Sequence, residues 1–211
     1  MESAKVISPY KIAIDGIDAS GKTIFADDLA NYLKSKTSRQ IIRASIDGFH
    51  NPEEIRLRKG KLSPVGYYED SFDYESLKKL LLQPLIRSKN RSILTSIYDY
   101  RSKTKTNENY IIAEDNPILL FDGIFLLRKE LFHYWDLCIF LEVSFKTALK
   151  RALERDIDYF GDEHVLKMRY EQRYFPGQQL YLHEAHPNQI ADIVVDNNDY
   201  QNPEILRTHV R

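Results

Sequence analysis

A glycine-rich segment near the N-terminus constrains this chain more than any other feature. It matches the pattern G-x-x-x-x-G-K-[ST] in full, with the residues Gly16, Ile17, Asp18, Ala19, Ser20, Gly21, Lys22 and Thr23. An apolar run over residues 10–15 precedes it, and apolar residues at helical spacing follow over residues 22–35. This order of strand, loop and helix is the setting in which backbone N–H groups and a helix N-terminus bind phosphate. The alternative is a chance match in a turn-rich segment.

The loop predicts how a nucleoside triphosphate is held. Its glycines allow a tight turn, so that successive backbone N–H groups point inward at phosphate oxygens. Lys22 would reach the β- and γ-phosphates, and the Thr23 hydroxyl would contact Mg²⁺. We therefore expect ATP and Mg²⁺ as cofactors, residues 16–23 as the ATP-binding loop, Lys22 as a catalytic residue and Thr23 as a metal ligand.

Composition narrows the class of protein further. The chain has 211 residues and a net charge of -1, so nothing indicates a whole-protein attraction to nucleic acid or to a membrane surface. No apolar run approaches the ~20 residues of a membrane span. The single cysteine, Cys138, lies in an apolar run and favours a reducing compartment, so we expect the cytoplasm. The sequence leaves open whether the chain forms a homo-oligomer.

Strand-like and helix-like segments alternate along the chain, which is typical of a parallel sheet covered by helices. The predicted strands are residues 10–15, 40–46, 92–98, 118–121, 137–143 and 190–195. The predicted helices are residues 22–35, 74–87 and 145–159. We expect one α/β domain over residues 1–211, a P-loop NTPase three-layer sandwich with a central parallel five-stranded sheet. Residues 150–179, rich in arginine, are either a solvated helix pair or a helical lid that closes over phosphates.

Three aspartates follow predicted buried strands, where ligands gather in open α/β sheets. Asp15 precedes the loop and is expected to brace it. Asp122 ends an apolar strand, as in a Walker B element, and is the predicted metal ligand. Asp47 is then free to accept the proton of the acceptor hydroxyl as it attacks the γ-phosphoryl group. For Asp47 and Asp122, each followed by glycine, a turn-forming role is the alternative.

Further motifs, in order along the chain, make the sequence resemble the uridine kinase and phosphoribulokinase family of P-loop kinases. They are residues 14–16, 45–50 (Ser-Ile-Asp-Gly-Phe-His), 69–73 (Glu-Asp-Ser-Phe-Asp), 98–100, 121–125 (Phe-Asp-Gly-Ile-Phe) and 151–157. The resemblance covers residues 11–199. It implies an ATP-dependent kinase that phosphorylates a hydroxyl of a small metabolite, with a nucleoside as the first choice.

The resemblance also implies roles for matching positions. Asp47 is similar to the family's catalytic aspartate, Asp70 to the aspartate that holds ribose hydroxyls, and Tyr98 to a tyrosine that contacts the nucleobase. Arg151 and Arg155 resemble catalytic lid arginines. Their spacing of four residues places them on one helical face, and the planar guanidinium suits phosphate oxygens.

The sequence departs from the family at three places. Asp122 stands where the family usually has a glutamate, and no histidine follows Tyr98 within residues 98–103. Residues 159–162 lack the two arginines that usually follow the lid helix, and Arg169 and Arg173 are candidates to replace them. The runner-up reading is therefore a kinase for a non-nucleoside acceptor, of the pantothenate, sugar phosphate or glycerate type.

Two segments near the expected acceptor side have alternative readings. Residues 56–61 form a basic cluster that is either a solvated face or a clamp for an acidic group, with Arg56 and Arg58 as its contacts. His50 is either an acceptor contact or a hydrogen-bonded loop residue.

Two other classes of protein compete with a small-molecule kinase. A GTPase-type switch would carry an Asn-Lys-x-Asp element that reads guanine, and the sequence has none. A nucleotide-binding module without turnover is disfavoured because Lys22, Thr23, Asp47 and Asp122 are all present.

Overall fold

The computed structural model describes residues 8–86, 91–99, 102–106 and 110–209, without the side chains of residues 158–160. In these ranges the strands are β1 (Tyr10–Gly16), β2 (Ile41–Ser45), β3 (Ser92–Leu94), β4 (Tyr98–Asp99), β5 (Thr104–Lys105), β6 (Tyr110–Ile112), β7 (Ile118–Gly123), β8 (Leu137–Glu142), β9 (Ile193–Asp196) and β10 (Glu204–Thr208). The α-helices are α1 (Lys22–Lys34), α2 (Glu53–Arg56), α3 (Pro64–Asp70), α4 (Tyr74–Leu77), α5 (Gln83–Ile86), α6 (Phe145–Phe160), α7 (Glu163–Arg169), α8 (Phe175–Ala185) and α9 (Pro187–Ile190).

A six-stranded sheet in the order β10-β9-β8-β1-β7-β2 forms the middle layer. Five of its strands are mutually parallel, namely β1, β2, β7, β8 and β9. The sixth, β10, pairs antiparallel with β9 at one edge of the sheet. The prediction of five parallel strands between helices is confirmed. The sixth strand escaped notice because β10 is mostly exposed, and its sequence lacks the apolar run of a buried strand.

The strand predicted over residues 92–98 does not belong to this sheet. The segment instead supplies β3 and β4, which pair antiparallel with β6 and β5 in two separate two-stranded sheets. Its apolar residues Ile93 and Leu94 are buried all the same. Burial under the helical layer therefore produced the same apolar pattern that a central strand would show.

Alternation along the central strands builds two cores. Ile12 and Ile14 of β1 pack on the side of α1, together with Ala26 and Ala30 of that helix. Ala13, between them, faces the opposite and larger core, which contains aromatic side chains from α3 and α8. No helix in the described ranges combines the length and apolarity needed to cross a bilayer.

The strand register brings the residues of the predicted site to the carboxyl ends of the parallel strands. Asp122 of β7 lies beside Ile14 of β1 and Ser45 of β2, so all three strands end at the same level. The phosphate loop, residues 16–23, follows β1, and Asp47 follows β2 at the same end of the sheet.

Candidate active site

The phosphate loop has the conformation that anion binding requires. Its turn is closed by the Ser20 N–H, which donates to the Ile17 carbonyl at 3.1 Å. Gly21 has φ 94°, a conformation that favours glycine, and a Cβ there would lie 2.7 Å from the side-chain nitrogen of Asn197. Gly21 is also the N-cap of α1 and offers no side-chain cap, so the first N–H groups of the helix are left for a ligand.

Lys22 lies inside this loop and is 8% exposed. Its Nζ donates to the Ile17 carbonyl at 2.7 Å. Burial lowers the pKa of Lys22, and the charge of Asp18 partly opposes that effect. An incoming phosphate would replace one carbonyl contact by a full negative charge, which favours moving the ammonium onto the ligand.

Thr23 and Asp122, predicted as metal ligands, are in contact. The Thr23 Oγ1 donates to the Asp122 carboxylate at 2.8 Å, and Asp122 is 2% exposed. Arg43 donates to the other carboxylate oxygen at 3.0 Å. A hydroxyl and a carboxylate side by side are the hard oxygen donors that Mg²⁺ prefers, and substrate phosphates usually complete its shell. The residues present therefore fit Mg²⁺, although the described residues contain no cluster of three or more His, Cys, Asp or Glu side chains.

Two carboxylates, one in the phosphate loop and one directly before it, are anchored by residues that the sequence did not point to. Asp18 accepts hydrogen bonds from Tyr67 of α3 at 2.5 Å and from Gln178 of α8 at 3.1 Å. Asp15 accepts from the Gly16 N–H at 2.8 Å and from the Tyr181 hydroxyl. Burial raises the pKa of Asp15 to about 6. The expected bracing role of Asp15 agrees with this geometry.

Asp47 is exposed at the start of a 3₁₀ turn, Ile46–Phe49, directly after β2. Its N–H donates to the Ser45 hydroxyl at 3.3 Å, and His50 Nδ1 lies 2.9 Å from its carbonyl oxygen. Asp47 is close enough to Lys22 to influence the pKa of that ammonium. An exposed carboxylate facing the loop can accept a proton from a bound hydroxyl.

Backbone contacts gather the predicted acceptor-side residues around Asp47. The Ile97 N–H, next to Tyr98, donates to the Gly48 carbonyl at 2.8 Å. The Asn51 side chain donates to the Asp70 carbonyl at 3.0 Å. The structure therefore brings Asp47, Asp70, Tyr98 and His50 to one end of the sheet, although they come from separate segments.

Asp70 is engaged by the basic cluster. It is 3% exposed, and Arg58 and Lys59 approach its carboxylate to 2.5 and 3.2 Å. The hydrogen bond from Arg58 lowers the pKa of Asp70. Tyr98 is buried in β4, 7% exposed. Arg56, in the same cluster, donates to the Asn51 carbonyl at 2.8 Å.

The predicted lid arginines have protein partners in this conformation. Arg151 donates to the carbonyls of Asn197 and Asn198 at 2.8 and 3.0 Å. Its buried Nη1 has no hydrogen-bond partner in the described part of the chain. Arg155 binds both carboxylate oxygens of Asp156 at 2.7 Å.

The two arginines proposed as replacements differ from each other. Arg169 is exposed and interacts with the Tyr174 hydroxyl. Arg173 is 4% exposed, and its guanidinium donates to three carbonyls, those of Arg56, Gly60 and Lys61. Arg173 thus holds the basic cluster in place here, and its role as a substrate contact stays a prediction.

The fold and the site together define a P-loop kinase: a parallel sheet, a phosphate loop before α1, and carboxylates at neighbouring strand ends. Residues 11–197 match the Phosphoribulokinase / Uridine kinase family, and the chain belongs to this family. It is therefore an ATP-dependent phosphotransferase that acts on an alcohol group.

Individual relatives are distant. Uridine kinase of Vibrio vulnificus (strain YJ016) is 25% identical over 94% of this chain and 93% of that protein. Uridine kinase of Ureaplasma urealyticum serovar 10 is 26% identical over 72% of this chain and 70% of its own length. The structure of a protein from Bacillus stearothermophilus described as a possible uridine kinase aligns with TM-score 0.69 and 22% identity, covering 92% of this chain and 90% of the other.

Proposed function

We propose that this chain transfers the γ-phosphoryl group of ATP to a hydroxyl of a nucleoside. The observation that carries the proposal is the placement of Asp70, 3% exposed, at the same end of the sheet as Asp47 and the phosphate loop. A buried carboxylate suits the paired hydroxyls of a ribose, because it can accept two hydrogen bonds. The uridine kinase relatives support the same acceptor class.

The residues divide the chemistry between them. The N–H groups of residues 20–23 and the Lys22 ammonium would bind the phosphates, while Thr23 and Asp122 would hold Mg²⁺. The bound metal would offset negative charge on the phosphates. Asp47 would orient the acceptor hydroxyl and take its proton, and Arg151 and Arg155 would cover the phosphates and exclude water.

A second acceptor class is favoured by a specific observation. Arg58 and Lys59 already neutralise Asp70, and the Arg58 side chain is 60% exposed. A guanidinium fixed in this way keeps donors for an acidic acceptor such as a sugar phosphate or glycerate. A nucleoside, in contrast, would have to displace these cations from Asp70.

The proposal is tested by ADP release in the presence of ATP, Mg²⁺ and a panel of acceptors. The panel contains uridine, cytidine and adenosine as nucleosides, and pantothenate, ribulose 5-phosphate and glycerate as acidic acceptors. We expect release with at least one nucleoside, and its loss in Asp47→Asn. Release with acidic acceptors alone would favour the second class, and none with any acceptor would indicate a module without turnover.

A further inference from the structure

An acidic residue inside a phosphate-binding loop is physically unexpected, and the mechanism above does not use it. Asp18 occupies the third position of the loop, where its carboxylate adds negative charge beside a triphosphate. The fold offsets this charge with contacts from two separate helices. Tyr67 of α3 and Gln178 of α8 both donate to the same oxygen, Oδ2.

The contact with Gln178 is two-sided. The Asp18 N–H donates to the Gln178 Oε1 at 2.8 Å, while the Gln178 Nε2 donates back to the Asp18 carboxylate at 3.1 Å. Gln178 is 1% exposed and therefore fixed by its surroundings. The Gln178 side chain therefore fixes the positions of both the backbone N–H and the carboxylate of Asp18.

Tyr67 carries the connection to the acceptor side. It lies three residues before Asp70 on α3, and its ring packs edge-on against Phe125 at 5.5 Å. The helix packs closely on α8, since a Cβ at Gly177 would lie 2.8 Å from the Tyr67 ring and 2.8 Å from the Pro64 carbonyl. The acceptor helix and the loop are thus joined through one phenol.

From this arrangement we propose that Asp18 and Tyr67 are positioning residues that couple nucleotide binding in the phosphate loop to the acceptor helix α3. The proposal rests on triphosphate binding by the loop, and it is independent of which acceptor the enzyme uses.

The physical reason lies in the position of Lys22. Burial raises the pKa of Asp18, and the charge of Lys22 is the largest influence that lowers it again. Once phosphates recruit the Lys22 ammonium, the Asp18 carboxylate shares its counter-charge with a second anion. The hydrogen bonds from Tyr67 and Gln178 then carry more of its stabilisation, because donors to a charged group are the strong ones. Nucleotide binding therefore strengthens the hydrogen bond from Tyr67 to Asp18, which holds α3 at a point one helical turn from Asp70.

Hydrogen exchange measured with and without the non-hydrolysable analogue AMP-PNP and Mg²⁺ tests this coupling. In the wild-type protein we expect protection of residues 16–23 and also of residues 66–70 in α3. The change in α3 should be roughly tenfold in exchange rate, the scale of one hydrogen bond to a charged group. Tyr67→Phe should keep the loop protection and lose the change in α3.

The matched control is Tyr68→Phe. Tyr68 neighbours Tyr67 on α3, but its hydroxyl donates to Glu184 at 2.9 Å instead of to the loop. We expect this variant to keep the analogue-dependent protection of α3. The difference between bound and free protein is the readout, so a loss of stability common to both states does not alter it.

Asp18→Ala is the second variant, which removes the acceptor instead of the donor and should also lose the change in α3. The coupling is refuted if α3 gains the same protection in Tyr67→Phe as in wild type while the loop is protected in both. Absence of loop protection in the wild-type protein would instead overturn the proposed function, and the coupling with it.

Discussion

The phosphate half and the acceptor half of this site are built differently. The phosphate half is one contiguous loop, residues 16–23, with N–H groups left uncapped at the start of α1. The acceptor half joins Asp47, Asp70 and Tyr98 from separate segments, and its buried carboxylate is closed by Arg58 and Lys59. We expect the first half to accept a triphosphate as it stands. In the second half, a nucleoside would have to displace the cations from Asp70, whereas an acidic acceptor could bind to these cations. Specificity therefore belongs to the acceptor half.

The two halves also treat their buried carboxylates in opposite ways. Burial raises the pKa of Asp15, beneath the phosphate loop, to about 6. The hydrogen bond from Arg58 lowers the pKa of Asp70. Burial therefore disfavours the charged form of Asp15, whereas hydrogen bonds and cations favour the charged form of Asp70.

Asp47→Asn should have the largest effect and separates the roles of the two halves, because it removes the proposed base while the phosphate half stays intact. We expect kcat to fall by about 10²–10⁴-fold, the range for loss of general base catalysis. The KM for ATP should change little. Steady-state ADP release checks this, with Asp28→Asn on the exposed face of α1 as control. An unchanged kcat would remove Asp47 from the mechanism.

Lys22→Ala attacks the phosphate half. The expected loss in kcat is roughly 10²–10³-fold, as for removal of one preorganised charge from a transition state. The variant should stay folded, although the Asp18 carboxylate loses the charge that most lowers its pKa.

The comparison for Lys22 is Lys34→Ala, in the last turn of the same helix. That variant should keep wild-type turnover. Wild-type turnover in Lys22→Ala would refute the assignment of the loop.

Asp15→Asn tests the contrast between Asp15 and Asp70 through the pH dependence of stability. The folded state holds the Asp15 proton more tightly than the unfolded state, whose pKa is 3.8. Wild-type stability should thus fall as pH rises from about 4 to about 6, by on the order of 3 kcal/mol at 1.36 kcal/mol per pKa unit. The asparagine variant lacks this loss.

Urea unfolding of both proteins at pH 4.5 and pH 7 measures the effect. The difference in unfolding free energy should move in favour of Asp15→Asn at the higher pH. A pH-independent difference would contradict the raised pKa. Asp70 acts in the opposite sense, since its pKa is lowered: its contribution is present above pH 4 and is lost as the solution becomes more acidic.

Arg58→Ala gives the smallest expected effect and separates the two acceptor classes. If the acceptor is a nucleoside, removal of the Arg58 guanidinium frees Asp70 to bind it. The KM for the nucleoside should then fall by up to about tenfold, the scale of a charge-assisted hydrogen bond. Lys61→Ala, in the same cluster but exposed, should leave that KM unchanged. A rise in KM for an acidic acceptor would instead assign the guanidinium to substrate binding.

Much of the fold was predictable because buried parallel strands are continuous apolar runs. β1, β7 and β8 were found in this way, and the structure places Asp122, at the end of β7, in hydrogen-bond contact with Thr23. The segment over residues 92–98 was misplaced, because burial beneath helices gives the same pattern as burial in a sheet. β10 was missed, because an exposed edge strand carries no such run.

What the sequence by itself determined is the phosphate loop, since its residues are neighbours along the chain and their spacing fixes the turn. Only the tertiary structure decided which distant side chains hold that loop. Gln178 lies 160 positions from Asp18, and Tyr181 lies 166 positions from Asp15. The same is true of the closure of Asp70 by Arg58. Hydrogen bonds and ion pairs between remote segments depend on how helices pack on the sheet, and no local pattern encodes that packing.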